Sequence, residues 1–187
     1  MQDASAQEKP FKPGDLVFGP CSGFGGEMDV HYYDHMSPLR GFAINYGLPY
    51  KMDSGFFSVG LMVGLRNCDK YYIYPISIFG TKYFYDRHWS WVTFSTRVAY
   101  HIDLLHVANL DTYVGTIASY STVKITYTDN LWTDPTKRGY PYPLKFKNFI
   151  KYGIMLGARY DIYKSFGVFG EASTGITWLT VGASYKY

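Results

Sequence analysis

The chain has 187 residues, a formal net charge of +3 and 18% charged residues, which suits a single domain and gives no basic surface of the kind nucleic acids require. It over-uses Tyr (20), Phe (13) and Gly (19). No stretch approaches the roughly 18 consecutive apolar residues of a membrane helix, the longest candidate being Gly55 to Leu65. Helical membrane spanning is therefore excluded, but barrel spanning is not, because barrel strands alternate apolar and polar residues.

In chain order, Met1 to Gln7 holds no hydrophobic run, and Ala4-Ser5-Ala6 has the small-x-small form of a signal-peptidase site. The expectation is a bacterial outer-membrane location, with the precursor's signal peptide outside this chain. Residues 1–13 are expected to form a periplasmic tail and 14–187 the barrel. Period-two alternation places strands at Asp15 to Phe24, Arg40 to Leu48, Phe56 to Arg66, Trp91 to Ile102, Leu110 to Tyr120, Asn148 to Ile162, Phe166 to Thr174 and Thr177 to Tyr187. Pro20 makes the first strand irregular, since proline cannot donate to the ladder.

The charges decide what kind of sheet this is. Ile150, Tyr152, Ile154, Leu156, Ala158, Tyr160 and Ile162 share one face of the sixth strand; Lys151, Gly153, Met155, Gly157, Arg159 and Asp161 share the other. Phe57, Val59, Leu61, Val63 and Leu65 likewise oppose Ser58, Gly60, Met62, Gly64 and Arg66. A soluble sandwich turns a face rich in Lys, Glu and Asp to water. Here the polar face is mostly Gly, Ser and Thr with a few long charges, which suits a crowded lumen, and the apolar face suits lipid. Unpaired backbone is not tolerated in lipid, so such strands must close. Short connections at Pro49 to Gly55, Asp103 to Asn109 and Tyr163 to Ser165 alternate with long ones at Asn67 to Ser90 and Ser121 to Lys147. Gly25 to Leu39 is intermediate, and Gly175-Ile176 is a tight last turn. The reading is an all-β, eight-stranded antiparallel transmembrane β-barrel with short periplasmic turns and longer extracellular loops.

Leu110 to Gly115 (LDTYVG) and the run from Gly153 to Tyr187 resemble the small outer-membrane β-barrel proteins of Bacteroidetes-type Gram-negative bacteria. Gly157-Ala158-Arg159-Tyr160, Phe169-Gly170-Glu171 and Lys186-Tyr187 carry that resemblance, which extends over Pro38 to Tyr187. The terminal aromatic after alternating apolar residues resembles the signal read by the barrel-assembly machinery. The resemblance implies that Leu179, Val181, Tyr185 and Tyr187 are its recognition residues. It speaks to fold and compartment far more than to activity.

Glu171 and Arg159 are expected on neighbouring strands facing inward, with Arg66 and Arg97 completing an interior charge cluster. That cluster is read as a salt-bridge plug, with an ion pathway as the alternative, because eight strands leave an interior that side chains just fill. The run Cys68 to Trp91 is basic and aromatic; Lys70, Tyr71, Tyr72, Lys82, Arg87, His88 and Trp89 are candidate contacts for lipopolysaccharide phosphates or a partner. The competing reading is that its aromatic ends extend the strands and girdle above the membrane. Cys21 and Cys68 form a candidate disulfide in an oxidising envelope, though on non-adjacent strands. His31, Asp34, His35 and Ser37 lack a metal-binding pattern and read as polar loop residues, with an acyl-transfer site as the alternative. Gly23 to Gly26 opens no helix, so a phosphate loop is excluded. The expected function is non-enzymatic, with no catalytic residue, metal or cofactor: a structural or surface-docking barrel working through its extracellular loops, also as a subunit of a larger outer-membrane complex. A lipid A-modifying enzyme and a narrow pore are the alternatives. Expected partners are outer-membrane lipid and lipopolysaccharide, the barrel-assembly machinery, and another outer-membrane or surface protein, with no nucleic acid.

Overall fold

The computed structural model describes residues 11–26, 33–52, 54–78, 81–129 and 148–187. The strands are β1 Leu16–Phe24, β2 His35–Met36, β3 Leu39–Met52, β4 Gly55–Ile78, β5 Thr81–Ile102, β6 Leu110–Asp129, β7 Phe149–Tyr163, β8 Phe166–Ser173 and β9 Leu179–Lys186. Apart from the two-residue β2, which pairs with β4 at Cys68 and Asp69, they run β4-β3-β1-β9-β8-β7-β6-β5, and β5 pairs back onto β4. The result is a closed eight-stranded antiparallel barrel with all the expected strands.

Both faces are as the alternation requires. Phe57, Val59, Leu61, Val63 and Leu65 on β4, Ile154, Leu156 and Ile162 on β7, and Leu179 and Val181 on β9 are exposed on the outside. Ser58, Met62 and Arg66 on β4, Ser95, Arg97 and His101 on β5, Arg159 and Asp161 on β7, and Glu171 on β8 are buried inside. Arginines inside and isoleucines outside invert a soluble barrel and make an apolar belt for lipid; the molecule is a transmembrane β-barrel of the outer-membrane kind.

Three expectations need correction. The connection from Asn67 to Ser90 is a hairpin rather than a long loop, in line with the competing strand-extension reading: β4 and β5 continue in one register from Asn67↔Ser90 to Ile73↔Phe84, then shift before Ser77↔Lys82. Its Tyr, Ile and Phe content favours the pleated sheet. β6 follows it to Asp129, pairing Tyr85↔Asp129, and the rest of the expected loop lies outside the described residues. Secondly, the N-terminal tail is not free from Phe11 onward. Phe11 is buried with Val17 and Phe56 in the periplasmic mouth, and Lys12 N donates to Asp15 Oδ2 at 2.9 Å in a turn below β1. Thirdly, the β8–β9 connection tucks into the opposite mouth, where Ile176 packs among Cys21, Leu39, Ala43 and Met62.

Pro20 behaves as its chemistry demands. β1 keeps an unbroken register with β3, while the ladder to β9 pairs Val17 and Phe18, then Cys21 to Phe24, and skips Gly19 and Pro20.

Candidate functional site: a sealed lumen and an extracellular ledge

At mid-height the lumen is filled by one polar network. Arg97 Nη1 donates to Glu171 Oε1 at 2.6 Å and Oε2 at 2.8 Å, its Nε donates to Asn45 Oδ1 at 2.7 Å, and Tyr113 Oη donates to Glu171 Oε1 at 2.7 Å. Gly60 leaves the room this needs, since a Cβ there would overlap Asn45 Oδ1 and crowd Arg97 Cγ. The expected partner of Glu171 was Arg159. Instead Arg159 Nη2 lies 2.8 Å from Asp161 Oδ1, a close ion contact whose angles fall outside hydrogen-bond geometry, and Lys186 Nζ reaches Asp161 Oδ2 at 3.4 Å. Residues two apart on a strand share a face, so Asp161 meets Arg159 before Glu171 can. Arg66 stands apart near the outer mouth, its Nη2 donating to Gly23 O at 3.2 Å. The four expected residues are thus all interior but form three groups.

The void among Arg97, Glu171, Tyr113 and Arg159 measures about 30 Å³, room for roughly one or two waters. Below it His101 Nδ1 bonds Asp111 Oδ2 at 2.8 Å and its Nε2 bonds Ser58 Oγ at 2.8 Å. Phe56 stacks on that imidazole at 4.7 Å and Phe11 meets it edge-on at 4.9 Å. Phe11 below and Ile176 above close the two ends.

Cys21 and Cys68 are free and buried, so the candidate disulfide is not formed. Cys21 aligns with Gly41 and through it with Gly64. Cys68 lies four residues further along β4, about 13 Å along the strand and two strands away, beyond the roughly 7 Å Cα limit of a disulfide. Above the belt, burial pushes the Cys68 thiol up to about 11.

Above Leu65 the barrel wall continues as a three-stranded ledge of β4, β5 and β6. Its inner face is packed: Trp89 is 0% exposed and Trp91 3%, and Tyr33 meets Trp89 edge-on at 5.0 Å. Arg87 is buried too, its guanidinium 4.5 Å from the Tyr85 ring. Arg87 and Trp89 are therefore interior packing rather than contact residues. Tyr71 and Tyr72 are exposed, Tyr72 stacking on Tyr85 at 5.4 Å. Asp34 ties the ledge to the preceding connection, accepting from Tyr71 N at 2.7 Å, with Lys70 Nζ 3.9 Å away. The side chain of Lys82, and all of His31, lie outside the described residues.

The outer face of the ledge carries a group that the sequence reading missed. Asp69 and His88 are register partners; Asp69 Oδ1 lies 2.5 Å from His88 Nδ1, and His88 Nε2 lies 3.1 Å from Ser90 Oγ. The signal was present: carrying the Arg66↔Trp91 register three rungs outward sets Asp69 opposite His88. Treating the segment as a loop hid it.

On β9, Leu179 and Val181 face the lipid, Tyr185 packs on Phe18 at 5.6 Å and Phe166 at 5.0 Å, and exposed Tyr187 closes the seam, its N donating to Leu16 O at 2.8 Å.

No protein-family model matches the chain, and no curated protein matches it. Among solved structures, it is similar to Ail, the attachment invasion locus protein of Yersinia pestis, at 10% identity and TM-score 0.42, over 94% of this chain and 100% of that one. A second structure of Ail, in complex with the heparin analogue sucrose octasulfate, gives 11% identity, TM-score 0.42 and the same coverage. Likenesses of that size carry no inference about kinship or ligand, and the fold stands on the barrel's own pairing and faces.

Proposed function

We propose that this chain is an integral barrel of the bacterial outer membrane that docks another surface protein through its extracellular ledge, as one subunit of a larger assembly. The observation that carries this is the length of the wall. A spanning strand needs about 9–11 residues, yet β4, β5 and β6 run 24, 22 and 20. Beyond Leu65 β4 continues for roughly 40 Å at about 3.3 Å per residue. The extension presents Tyr71, Tyr72 and Ile73 to the outside, and aromatic side chains on a firm support are what interface hot spots use. A pore is disfavoured by the filled lumen. Relatives in this reading are the small barrels of Bacteroidetes-type bacteria, and Leu179, Val181, Tyr185 and Tyr187 serve the barrel-assembly machinery during insertion. Lipopolysaccharide surrounds the belt.

The test replaces residues 68–89 by a two-residue Asn-Gly turn. The variant is expected to insert and show heat-modifiable migration, yet to lose the protein that co-purifies with the wild type from native membranes. An unchanged set of co-purifying proteins would defeat the docking reading.

A further inference from the structure

The outer face of the ledge carries a Ser–His–carboxylate chain that neither sealing nor docking uses. We propose that Ser90, His88 and Asp69 form a nucleophilic site that hydrolyses acyl esters of lipids in the outer leaflet. This goes beyond the docking reading and adds chemistry to the same ledge that docking does not need.

The hydrogen-bond order fixes the roles. A carboxylate only accepts, so Asp69 at 2.5 Å holds the proton of His88 on Nδ1. That leaves Nε2 as the acceptor facing the Ser90 hydroxyl at 3.1 Å. This is the arrangement in which imidazole acts as general base towards a serine and the carboxylate sets its tautomer. His88 and Ser90 are two apart on β5 and so share one face, and Asp69 is opposite His88 across the β4–β5 ladder. Asp69 is a positioning residue; Ser90 and His88 would touch the substrate.

Height selects the substrate class. On the same face, two rungs below the Asn67↔Ser90 pair lies Leu65↔Val92, and two below that Val63↔Phe94, with Val63, Leu65 and Phe94 exposed to lipid. Ser90 therefore stands at the upper edge of the apolar belt, where the ester carbonyls of a leaflet sit between chains and headgroups. Ser90 also aligns with Lys124 on β6, an exposed cation beside the position of a lipid phosphate.

The reaction balances with water as the only co-reactant. Ser90 Oγ attacks the ester carbonyl while His88 Nε2 takes the hydroxyl proton. The C–O bond then breaks, and the imidazolium protonates the departing lyso-lipid alkoxide. Water, deprotonated by His88, attacks the acyl-Ser90 ester, releasing the fatty acid and restoring the hydroxyl.

Ser58, His101 and Asp111 repeat the same hydrogen-bond order inside the lumen, but Phe11 and Phe56 cover that imidazole. A lipid tail cannot reach it, so position separates the two groups.

The experiment uses the full chain folded in vesicles, with heat-modifiable migration as the folding control. One readout is covalent labelling by a fluorophosphonate probe. The other is mass spectrometry of released fatty acid, with one vesicle set of phosphatidylethanolamine and phosphatidylglycerol and another containing lipopolysaccharide. The wild type is expected to label at Ser90 and to release fatty acid from at least one set, which then names the source. Ser90→Ala and His88→Ala should lower both readouts by about 100-fold or more. Thr126→Ala, beside His88 on β6, should leave them unchanged. Asp69→Asn should slow labelling and move its pH profile, as a tautomer-setting residue would. Folded wild type that neither labels nor releases fatty acid overturns the proposal, as does activity that survives Ser90→Ala. Ser90→Ala keeps the ledge tyrosines, so hydrolysis and docking fail separately.

Discussion

The Arg97–Glu171 contact is a charge pair in which Arg97 Nη1 donates to both carboxylate oxygens, with Asn45 adding a bond to the guanidinium and Tyr113 one to the carboxylate. Both side chains are almost fully buried, at 3% and 8% exposure. Removing one member of such a pair strands the other and costs about 3–5 kcal/mol. Urea unfolding in lipid vesicles should therefore show Glu171→Gln strongly destabilised. Glu171→Gln with Arg97→Met should recover part of the loss, while Glu171→Gln with Arg159→Met should be additive, because Arg159 answers to Asp161. Additivity for Arg97 would dissolve the network described above. Glycines draw a second contrast. A Cβ at Gly157 would overlap the Tyr113 ring, whereas one at Gly170 meets nothing. Gly157→Val should lower the unfolding midpoint by displacing the tyrosine from Glu171, and Gly170→Ala should leave it in place.

At the scale of strands, Ile154 lies on the lipid face of β7 and is exposed. Ile154→Lys should reduce folded yield in bilayers by the equivalent of about 2–4 kcal/mol, and Ile154→Phe should not; equal losses would mean the faces are reversed. Gly153→Ser is no neutral comparison, since a Cβ there would press on the Gly175 backbone at 2.7 Å. That clash was illegible in the sequence because nothing in Thr174 to Thr177 announces a turn folded inward. The strands themselves were legible where lipid on one side and lumen on the other force strict alternation, as on β4 from Phe57 to Leu65. Beyond Leu65 that contrast ends. Tyr71 and Tyr72 are aromatic on both faces, so the period-two signal fades although the ladder continues. The charge pairing was half legible: inward direction follows from parity, but Arg97 meets Glu171 across the lumen, and parity does not report distances across a barrel.

For the whole molecule, Ile176, the Arg97–Glu171 network and Phe11 stack as three successive closures along the axis. Planar-bilayer recording should find no steady current for the wild type. Phe11→Ala should also stay silent, since it opens only the periplasmic mouth and leaves the other two closures. A stable conductance in either would restore the pore as a function. Circular dichroism should be dominated by strand, and unheated samples should migrate apart from heated ones in detergent gels.

The seam between β1 and β9 brings Leu16 and Tyr187 together through Leu16 N to Tyr187 O at 3.3 Å and Tyr187 N to Leu16 O at 2.8 Å. Start and finish of the wall therefore meet beside the short turns, on the side away from the ledge. An epitope fused after Tyr187 would be hidden from antibody on intact cells. The same epitope inserted between Ile78 and Thr81 would stand at the far end of the ledge, and the barrel becomes a display scaffold with an outward-facing port.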